Sequence, residues 1–205
     1  DGIVSYIDRD NIDTDQIIPT EYLKSIKKFG FEDYLFDGWR YHDDGKLGVK
    51  KEEREINEDF ILNKPPFNES KILLARDNFG CGSSREHAVW ALRDFGIKAV
   101  IASSFGDIFY NNCFKNGVLP IQLQKDQIEE LFQTIKDEIL ELSVDLQKRI
   151  ITIGDKEVSF DVEDYLIDRI IYGLDDVDIT LKLKDKIFNF EKNRKETRPW
   201  IFINE

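Results

Sequence analysis

The chain has 205 residues, enough for one hydrophobic core, and it combines 41% hydrophobic with 34% charged residues, the profile of a globular rather than a disordered protein. Its net charge of −12 argues against a nucleic-acid-binding protein, which needs a basic face to bind phosphates. No apolar run approaches the roughly 18–20 residues needed to span a bilayer. We therefore expect neither nucleic acid nor membrane as a partner.

The first third of the chain predicts one strand followed by irregular structure. A strand-like run at 3–7 precedes a polar turn at 11–15. Residues 24–45 mix lysines, glycines and aromatic rings, and we expect a mobile loop there. The polar stretch 43–70 predicts a surface excursion. No internal repeat or low-complexity linker interrupts the chain, so we expect a single domain over 1–205.

The centre of the chain alternates strands and helices. Apolar runs at 71–75, 99–102 and 118–121 predict strands, and helical spacing at 84–95 and 107–116 predicts the helices between them. Strand–helix–strand units of this length favour right-handed crossovers and a parallel sheet.

The last third adds a second type of sheet pairing. A strand at 139–146 and a hairpin turning at Gly154 and Asp155 predict antiparallel strands. The same part of the chain predicts helices at 125–137, 163–172 and 175–192. The predicted fold class is therefore α/β, a mixed sheet with two sheet regions and parallel strand–helix–strand units.

The turn at 80–87 carries the clearest chemical signal. Gly80 and Gly82 lack a Cβ atom, so the backbone can pass close to a bound group. We predict Ser83 or Ser84 at the N-cap of the following helix, where free N–H groups and the helix dipole favour an anion. Arg85 in the first turn is unfavourable for the dipole unless an anionic ligand compensates. A purely structural tight connection accounts for such a turn equally well.

Three better-known sites do not fit this turn. A phosphate-binding P-loop needs Gly-Lys followed by Ser or Thr, where this chain has Ser84-Arg85. A dinucleotide-binding turn needs a third glycine at position 85. A hydrolase nucleophile elbow needs glycine two residues before and two residues after its serine, and neither Ser83 nor Ser84 meets that condition.

Two other polar turns follow predicted strands. Residues 11–15 follow the first strand, and residues 103–113 follow the strand at 99–102. Polar turns at the carboxyl ends of neighbouring strands define a crevice, which is where open α/β sheets usually bind ligands. We therefore expect these turns to meet the turn at 80–87.

These segments resemble the small-subunit family of 3-isopropylmalate dehydratases in the aconitase superfamily. The matching stretches are NIDTDQIIP at 11–19, GFEDYLFDGWRY at 30–41, GCGSSREHAVWAL at 80–92 and SSFGDIFYNNCFKNGVLPI at 103–121. The resemblance implies that the fold is a swivelling β/β/α domain of aconitase type.

The resemblance also implies a hydro-lyase subunit that is inactive alone. In that family a larger partner binds a [4Fe–4S] cluster through three cysteines, and the iron acts as a Lewis acid on the departing hydroxyl. The complex converts 2-isopropylmalate to 3-isopropylmalate by dehydration and rehydration, in leucine biosynthesis. This chain has only Cys81 and Cys113, too few for a cluster, so we expect the large subunit to supply it and no metal to bind here. Two cysteines far apart also make a disulfide framework improbable and favour the cytoplasm.

The resemblance assigns roles to five residues of the turns. Ser83 matches the serine that takes a proton from the carbon next to a carboxylate. Asp15 matches an aspartate beside the reacting groups, and Thr14 is expected to support its turn. Arg85 matches the arginine that clamps a substrate carboxylate, and Ser84 matches a neighbouring hydrogen-bond donor.

Two further residues are predicted to select the substrate. Ile18 stands where aconitases have a serine, and an apolar residue suits an isopropyl group better than a carboxylate. The loop at 27–31 is the best candidate for substrate selection, with Lys28 as an anion contact, although a solvated basic loop explains it equally well.

Other readings remain open from the sequence. A homoaconitase-like or methyl-malate hydro-lyase would keep the chemistry and change the substrate. A non-catalytic module that binds dicarboxylates would use the same turn. The sequence does not determine the stoichiometry of the assembly.

Overall fold

In the computed structural model, residues 1–24 and 27–202 are described. The predicted mobile loop at 24–45 includes residues 25 and 26, which lie outside the described residues. Its mobility stays a prediction. Of the described helices, none is both long and apolar enough to cross a bilayer.

One mixed sheet of seven strands forms the centre of the fold. Its order is β4-β3-β2-β1-β5-β6-β7, with β1 to β4 parallel and β5 to β7 joined antiparallel. The strands are β1 Gly2–Ile7, β2 Ile72–Ala75, β3 Ala99–Ala102, β4 Leu119–Gln122, β5 Glu141–Asp145, β6 Ile150–Ile153 and β7 Lys156–Ser159. The predicted mixed α/β sheet is confirmed, and its two regions are halves of one sheet, joined where β1 pairs with β5.

Eight α-helices accompany the sheet in the described part of the chain. They are α1 Thr14–Ile17, α2 Asp37–Arg40, α3 Glu86–Phe95, α4 Asp107–Lys115, α5 Lys125–Asp137, α6 Asp164–Tyr172, α7 Asp176–Leu181 and α8 Lys184–Thr197. The single helix predicted at 175–192 is wrong, because the backbone leaves the helical conformation at Leu183, with φ −101° and ψ 13°, and α8 starts afresh.

The sheet separates two apolar cores. Leu73 and Val100 point into the core that contains α3, whereas Leu74 and Ile101 point into the core that contains α5. The central strands are buried on both faces, which explains why β2 and β3 read as continuous apolar runs rather than as alternating ones. The polar turns follow the carboxyl ends of β1, β2 and β3, at one edge of the sheet.

The stretch between β1 and β2 is held by a buried ion pair. Arg54 donates to Asp37 at 2.7 Å and to Asp43 at 2.7 Å, and the Tyr22 hydroxyl donates to Asp37 at 2.9 Å. The side chains of Arg54 and Asp37 are only 3% and 7% exposed. The sequence predicted a surface excursion at 43–70, yet Arg54 anchors that excursion in the protein interior.

We expect Arg54→Met to lower the free energy of unfolding by about 3 kcal/mol, because it leaves the Asp37 carboxylate buried without its cation. Urea unfolding at pH 7 measures the change. Lys64→Met is the matched control, since Lys64 pairs with the exposed Asp59 at 3.8 Å and such surface pairs contribute about 0–1 kcal/mol. Equal losses in the two variants would contradict a structural role for the buried pair.

Candidate active site

The glycine turn after β2 is shaped by close packing. Gly80 and Gly82 have φ angles of +72° and +87°, in the left-handed region that favours glycine. A Cβ atom on Gly80 would overlap the ring of Phe109, and one on Gly106 would lie 2.6 Å from the carbonyl oxygen of Gly80. The absence of a Cβ at Gly80 therefore serves the packing of this turn on α4 and its preceding turn, and the close approach of a ligand to the glycine backbone stays a prediction.

We expect Gly80→Ala to destabilise the protein by about 3 kcal/mol, from positive-φ strain plus overlap with Phe109. Gly117→Ala separates the two causes, because Gly117 has a similar φ of +73° and open space around it. That control should cost only about 1 kcal/mol. Chemical denaturation compares them, and a Gly80→Ala variant no less stable than Gly117→Ala would rule out the packing explanation.

Backbone hydrogen bonds bring the three polar turns together. Thr14 N–H donates to the Cys81 carbonyl at 3.0 Å, and the Thr14 hydroxyl donates to the Ser83 carbonyl at 2.9 Å. On the other side, Gly106 N–H donates to the Phe79 carbonyl at 2.9 Å. The predicted meeting of the turns is confirmed, and Thr14 supports its turn as expected.

An open cleft of about 250 Å³ lies where these turns meet. It is lined by Thr14, Gly80, Cys81, Gly82, Ser83, Arg85, Gly106, Asp107, Ile108 and Phe109. Its position at the carboxyl ends of parallel strands is the usual ligand position in open α/β sheets.

The two serines do not cap α3. The helix begins at Glu86 and its N-cap is Arg85, with extended backbone angles of −135° and 106° and no capping side chain. The predicted Ser83 or Ser84 cap is therefore wrong, and Arg85 precedes the first helical turn instead of lying in it. The residues before the extended Arg85 belong to the turn, and the Ser83 carbonyl accepts a hydrogen bond from the Thr14 hydroxyl at 2.9 Å. Both serines are exposed, and their hydroxyls have no protein partner among residues 1–24 and 27–202.

Arg85 and Asp15 form an ion pair at the edge of the cleft. An Arg85 guanidinium N–H donates to the Asp15 carboxylate, which also accepts from the Thr20 hydroxyl at 2.7 Å. The hydrogen bond from Arg85, followed by that from Thr20, lowers the pKa of Asp15 below its ordinary value, so this carboxyl is ionised at neutral pH. A guanidinium has five N–H donors, and Asp15 leaves some of them available for a ligand.

The structure does not bring Ile18 or Lys28 to the glycine turn. Ile18 is fully buried in the core beneath α1. Lys28 is exposed, and its carbonyl accepts from Arg93 at 2.6 Å. Arg93 lies seven residues into α3, about 10 Å along the helix from its start at Glu86. Contact of either residue with a substrate stays a prediction and is not a feature of this structure.

Two supporting contacts were not predicted from the sequence. Thr20 reaches Asp15 from the 3₁₀ turn Thr20–Lys24. Asn116 bridges two elements, since its amide donates to Glu86 at 2.9 Å and accepts from the Trp90 indole at 2.8 Å. This bridge fixes the start of α3 against the end of α4. No sequence pattern signals a contact between side chains about 30 residues apart.

The residues present do not fit a [4Fe–4S] cluster. Cys81 is half-buried in the cleft, whereas Cys113 is fully buried beneath α4, and burial raises the pKa of both thiols. Within the part of the chain that the structure describes, no three His, Cys, Asp or Glu side chains are grouped as metal ligands.

The fold and the three-turn cleft together define an aconitase-type C-terminal domain. The family model for the aconitase C-terminal domain matches residues 1–126, and a model for the C-terminal domain of the 3-isopropylmalate dehydratase small subunit matches residues 176–204. The chain is 48% identical over 203 residues to the 3-isopropylmalate dehydratase small subunit of Neisseria meningitidis serogroup C, covering 98% of this chain and 95% of that relative. The chain belongs to the family of 3-isopropylmalate dehydratase small subunits.

Two further comparisons agree with this assignment. The small subunit of Marinobacter nauticus is 50% identical over 203 residues, covering 98% of this chain and 94% of that protein. A crystal structure of 3-isopropylmalate dehydratase from Methanocaldococcus jannaschii superimposes with a TM-score of 0.62 at 29% identity, covering 93% of this chain and 97% of the other. The predicted aconitase-type fold is confirmed, while the extent of a single domain over 1–205 stays a prediction.

Proposed function

We propose that this chain is the small subunit of a cytoplasmic 3-isopropylmalate dehydratase, a hydro-lyase of leucine biosynthesis. With a large subunit it isomerises 2-isopropylmalate to 3-isopropylmalate. The observation that carries the proposal is an unpartnered Ser83 hydroxyl in the same cleft as the Arg85 guanidinium, in a chain of this family.

The reaction needs a base that takes a proton from the substrate, and in this proposal the base belongs to this chain. Dehydration removes the hydroxyl from carbon 2 and a proton from carbon 3, next to a carboxylate, and leaves a double bond. Rehydration places a hydroxyl on carbon 3 and a proton on carbon 2. We assign proton removal and return to Ser83, which is exposed, lines the cleft and has a hydroxyl engaged by no other described residue.

A serine base requires stabilisation of its alkoxide. An unperturbed hydroxyl is a poor base at neutral pH, so a positive environment must lower its pKa. In this proposal that environment comes from the Arg85 guanidinium, which lies two residues along the chain and lines the same cleft, and from the free N–H groups at the start of α3.

Arg85 is the carboxylate clamp in this proposal. A planar guanidinium can bind a carboxylate through two parallel N–H···O bonds, and we assign to the neighbouring Ser84 the role of an additional hydroxyl donor. Asp15 orients the guanidinium from the other side and stays ionised, which makes it an electrostatic partner at neutral pH and not a proton donor.

The cluster belongs to the large subunit in this account. The thiols of this chain do not fit a cluster, and the family name of a small subunit implies a larger partner. We therefore propose that the active site is completed only in the complex, between this cleft and a cluster-bearing surface of the partner.

Substrate selection falls to the loop around Lys28. Phe29 is 68% exposed and lies next to Lys28, so this segment presents an apolar ring and a cation to an incoming partner or ligand. Closure over the cleft would have to carry Lys28 toward Arg85. Homoaconitate and methyl-substituted malates are the alternative substrates.

Reconstitution tests the proposal. The chain is mixed with the aconitase-type large subunit of the same organism under anaerobic conditions, and the isomerisation of 2-isopropylmalate is followed. Turnover is expected from the mixture and from neither chain alone, with kcat/KM highest for the isopropyl compound among 2-substituted malates. Tight isopropylmalate binding by the isolated chain, without turnover in the complex, would instead favour a dicarboxylate-binding module.

A further inference from the structure

The last described segment of the chain is tied to the rest of the fold mainly at its start, where Asp176 pairs with Arg169 and Lys115 and Lys182 pairs with Asp168. We call residues 176–202 the C-terminal arm; it contains α7, α8 and the 3₁₀ turn Pro199–Ile201. Every residue from 180 to 201 is exposed. Among the described elements, α8 makes more than marginal contact only with that 3₁₀ turn.

The arm is strongly apolar for an exposed segment. Its large side chains are between 37% and 64% exposed: Val177, Leu181, Leu183, Ile187, Phe188, Phe190, Trp200 and Ile201. Ile187 and Phe190 share one side of α8, and Phe188 lies about 200° round the helix from Phe190, so apolar side chains are exposed on both sides of α8. Soluble proteins rarely leave so many large apolar side chains uncovered unless they bind another molecule. A helix of 14 residues is also marginal in water without tertiary packing. The arm therefore needs a partner to bury it.

The arm is basic although the chain is acidic. The arm, residues 176–202, has seven Lys and Arg residues against five Asp and Glu residues, a net charge of +2, so the rest of the chain carries −14. Its basic residues all lie between Lys182 and Arg198, where the net charge is +4. A surface that covers this arm must offer apolar side chains with carboxylates at the rim.

Two family models match separate parts of the chain, and this division bears on the choice of partner. The aconitase C-terminal domain model ends at residue 126, and the arm is matched by a separate model named for the small subunit alone. A C-terminal domain of a longer chain is held to the rest of its enzyme covalently. A separate small subunit lacks that link and needs an additional contact.

We propose that the C-terminal arm is a docking element for the large subunit and inserts into an apolar groove rimmed by carboxylates. This inference rests on the proposed function, because the large subunit is the partner named there. A symmetric dimer through the arm is disfavoured, since an isologous contact would set the +4 segments of two copies against each other.

Phe188→Asp and Phe190→Asp test the proposal in the 205-residue chain. Each puts a charge into the apolar surface, and we expect each to weaken association with the large subunit at least 30-fold by sedimentation or fluorescence titration. Ile139→Asp is the matched control, because Ile139 is 55% exposed outside the arm and its variant should bind within about threefold of wild type. Thermal melting should show unchanged body stability, since α8 does not pack on the cores.

Activity separates this proposal from the proposed function. Phe190→Asp should recover the wild-type kcat at saturating large subunit, whereas Ser83→Ala should bind normally and fail to turn over. Wild-type affinity in both phenylalanine variants would overturn the docking proposal. An isolated chain that is dimeric, and becomes monomeric in Phe190→Asp with unchanged affinity for the large subunit, would overturn it in favour of a second copy. A complex that forms through the arm but does not isomerise isopropylmalate would refute the proposed function alone.

Discussion

Ser83→Ala is expected to lower the kcat/KM of the reconstituted enzyme by 10²–10⁴-fold, the range for loss of a positioned proton-transfer group. The variant removes only the hydroxyl oxygen, which makes no hydrogen bond to any described residue. The fold should therefore be unchanged, because the contact that holds this segment uses the Ser83 carbonyl and not its side chain. Initial rates of isopropylmalate isomerisation at saturating large subunit measure the loss.

Two other serine variants serve as comparisons for the kcat/KM of Ser83→Ala. Ser159→Ala changes an exposed serine at the end of β7, outside the cleft lining, and should leave the rate unaltered. Ser84→Ala should act mainly on KM, because its proposed role is to donate a hydrogen bond to bound substrate. A Ser83→Ala enzyme with wild-type rate would remove the serine from the mechanism.

Arg85→Gln is expected to lower kcat/KM by 10²–10³-fold, because truncating a charge that clamps a carboxylate costs about 2–5 kcal/mol. The loss should appear chiefly in KM if Arg85 holds the substrate equally in its ground and transition states, and in kcat if it also stabilises the Ser83 alkoxide. Steady-state kinetics across substrate concentration separate the two contributions. Arg85→Lys should recover only part of the loss, since an ammonium cannot bind a carboxylate bidentately.

A surface arginine provides the control for this variant. Arg149 also pairs with an exposed aspartate, Asp164, but at the antiparallel end of the sheet. Arg149→Gln should leave both kinetic constants unchanged. If the two substitutions had the same effect, Arg85 would be a structural residue and the clamp would be wrong. In Arg85→Gln the pKa of Asp15 should also rise toward its ordinary value, because its largest lowering contribution comes from Arg85.

The sequence predicted the regular part of the fold because its signals are local. The apolar runs of β2 and β3 and the helical spacing of α3 report burial on both faces of a parallel sheet. The irregular segments could not be predicted from local sequence patterns. The segment around Arg54 is organised by an ion pair with Asp37, 17 residues away, and no local pattern reports such a contact.

The site was predictable as a set of turns but not in its details. Arg85 pairs with Asp15 and lines one cleft with Ser83, because the turns that carry these residues follow the neighbouring parallel strands β1 and β2. The helix start was misplaced because Arg85 is extended and the residues before it belong to a turn that contacts Thr14, 69 residues from Ser83, and no local pattern reports that contact. The burial of Ile18 was missed for a similar reason. The core that contains Ile18 also includes residues of β2, α3 and β3, which lie much later in the chain.

The most direct test of the central claim mixes active and inactive chains. Wild-type and Ser83→Ala chains compete for a limiting amount of large subunit, and isopropylmalate turnover is measured as the ratio changes. If this chain completes the active site and Ser83 is its base, turnover should fall in proportion to the share of Ser83→Ala chain. Turnover that stays at the wild-type level across all ratios, although both chains bind the large subunit equally, would contradict the account.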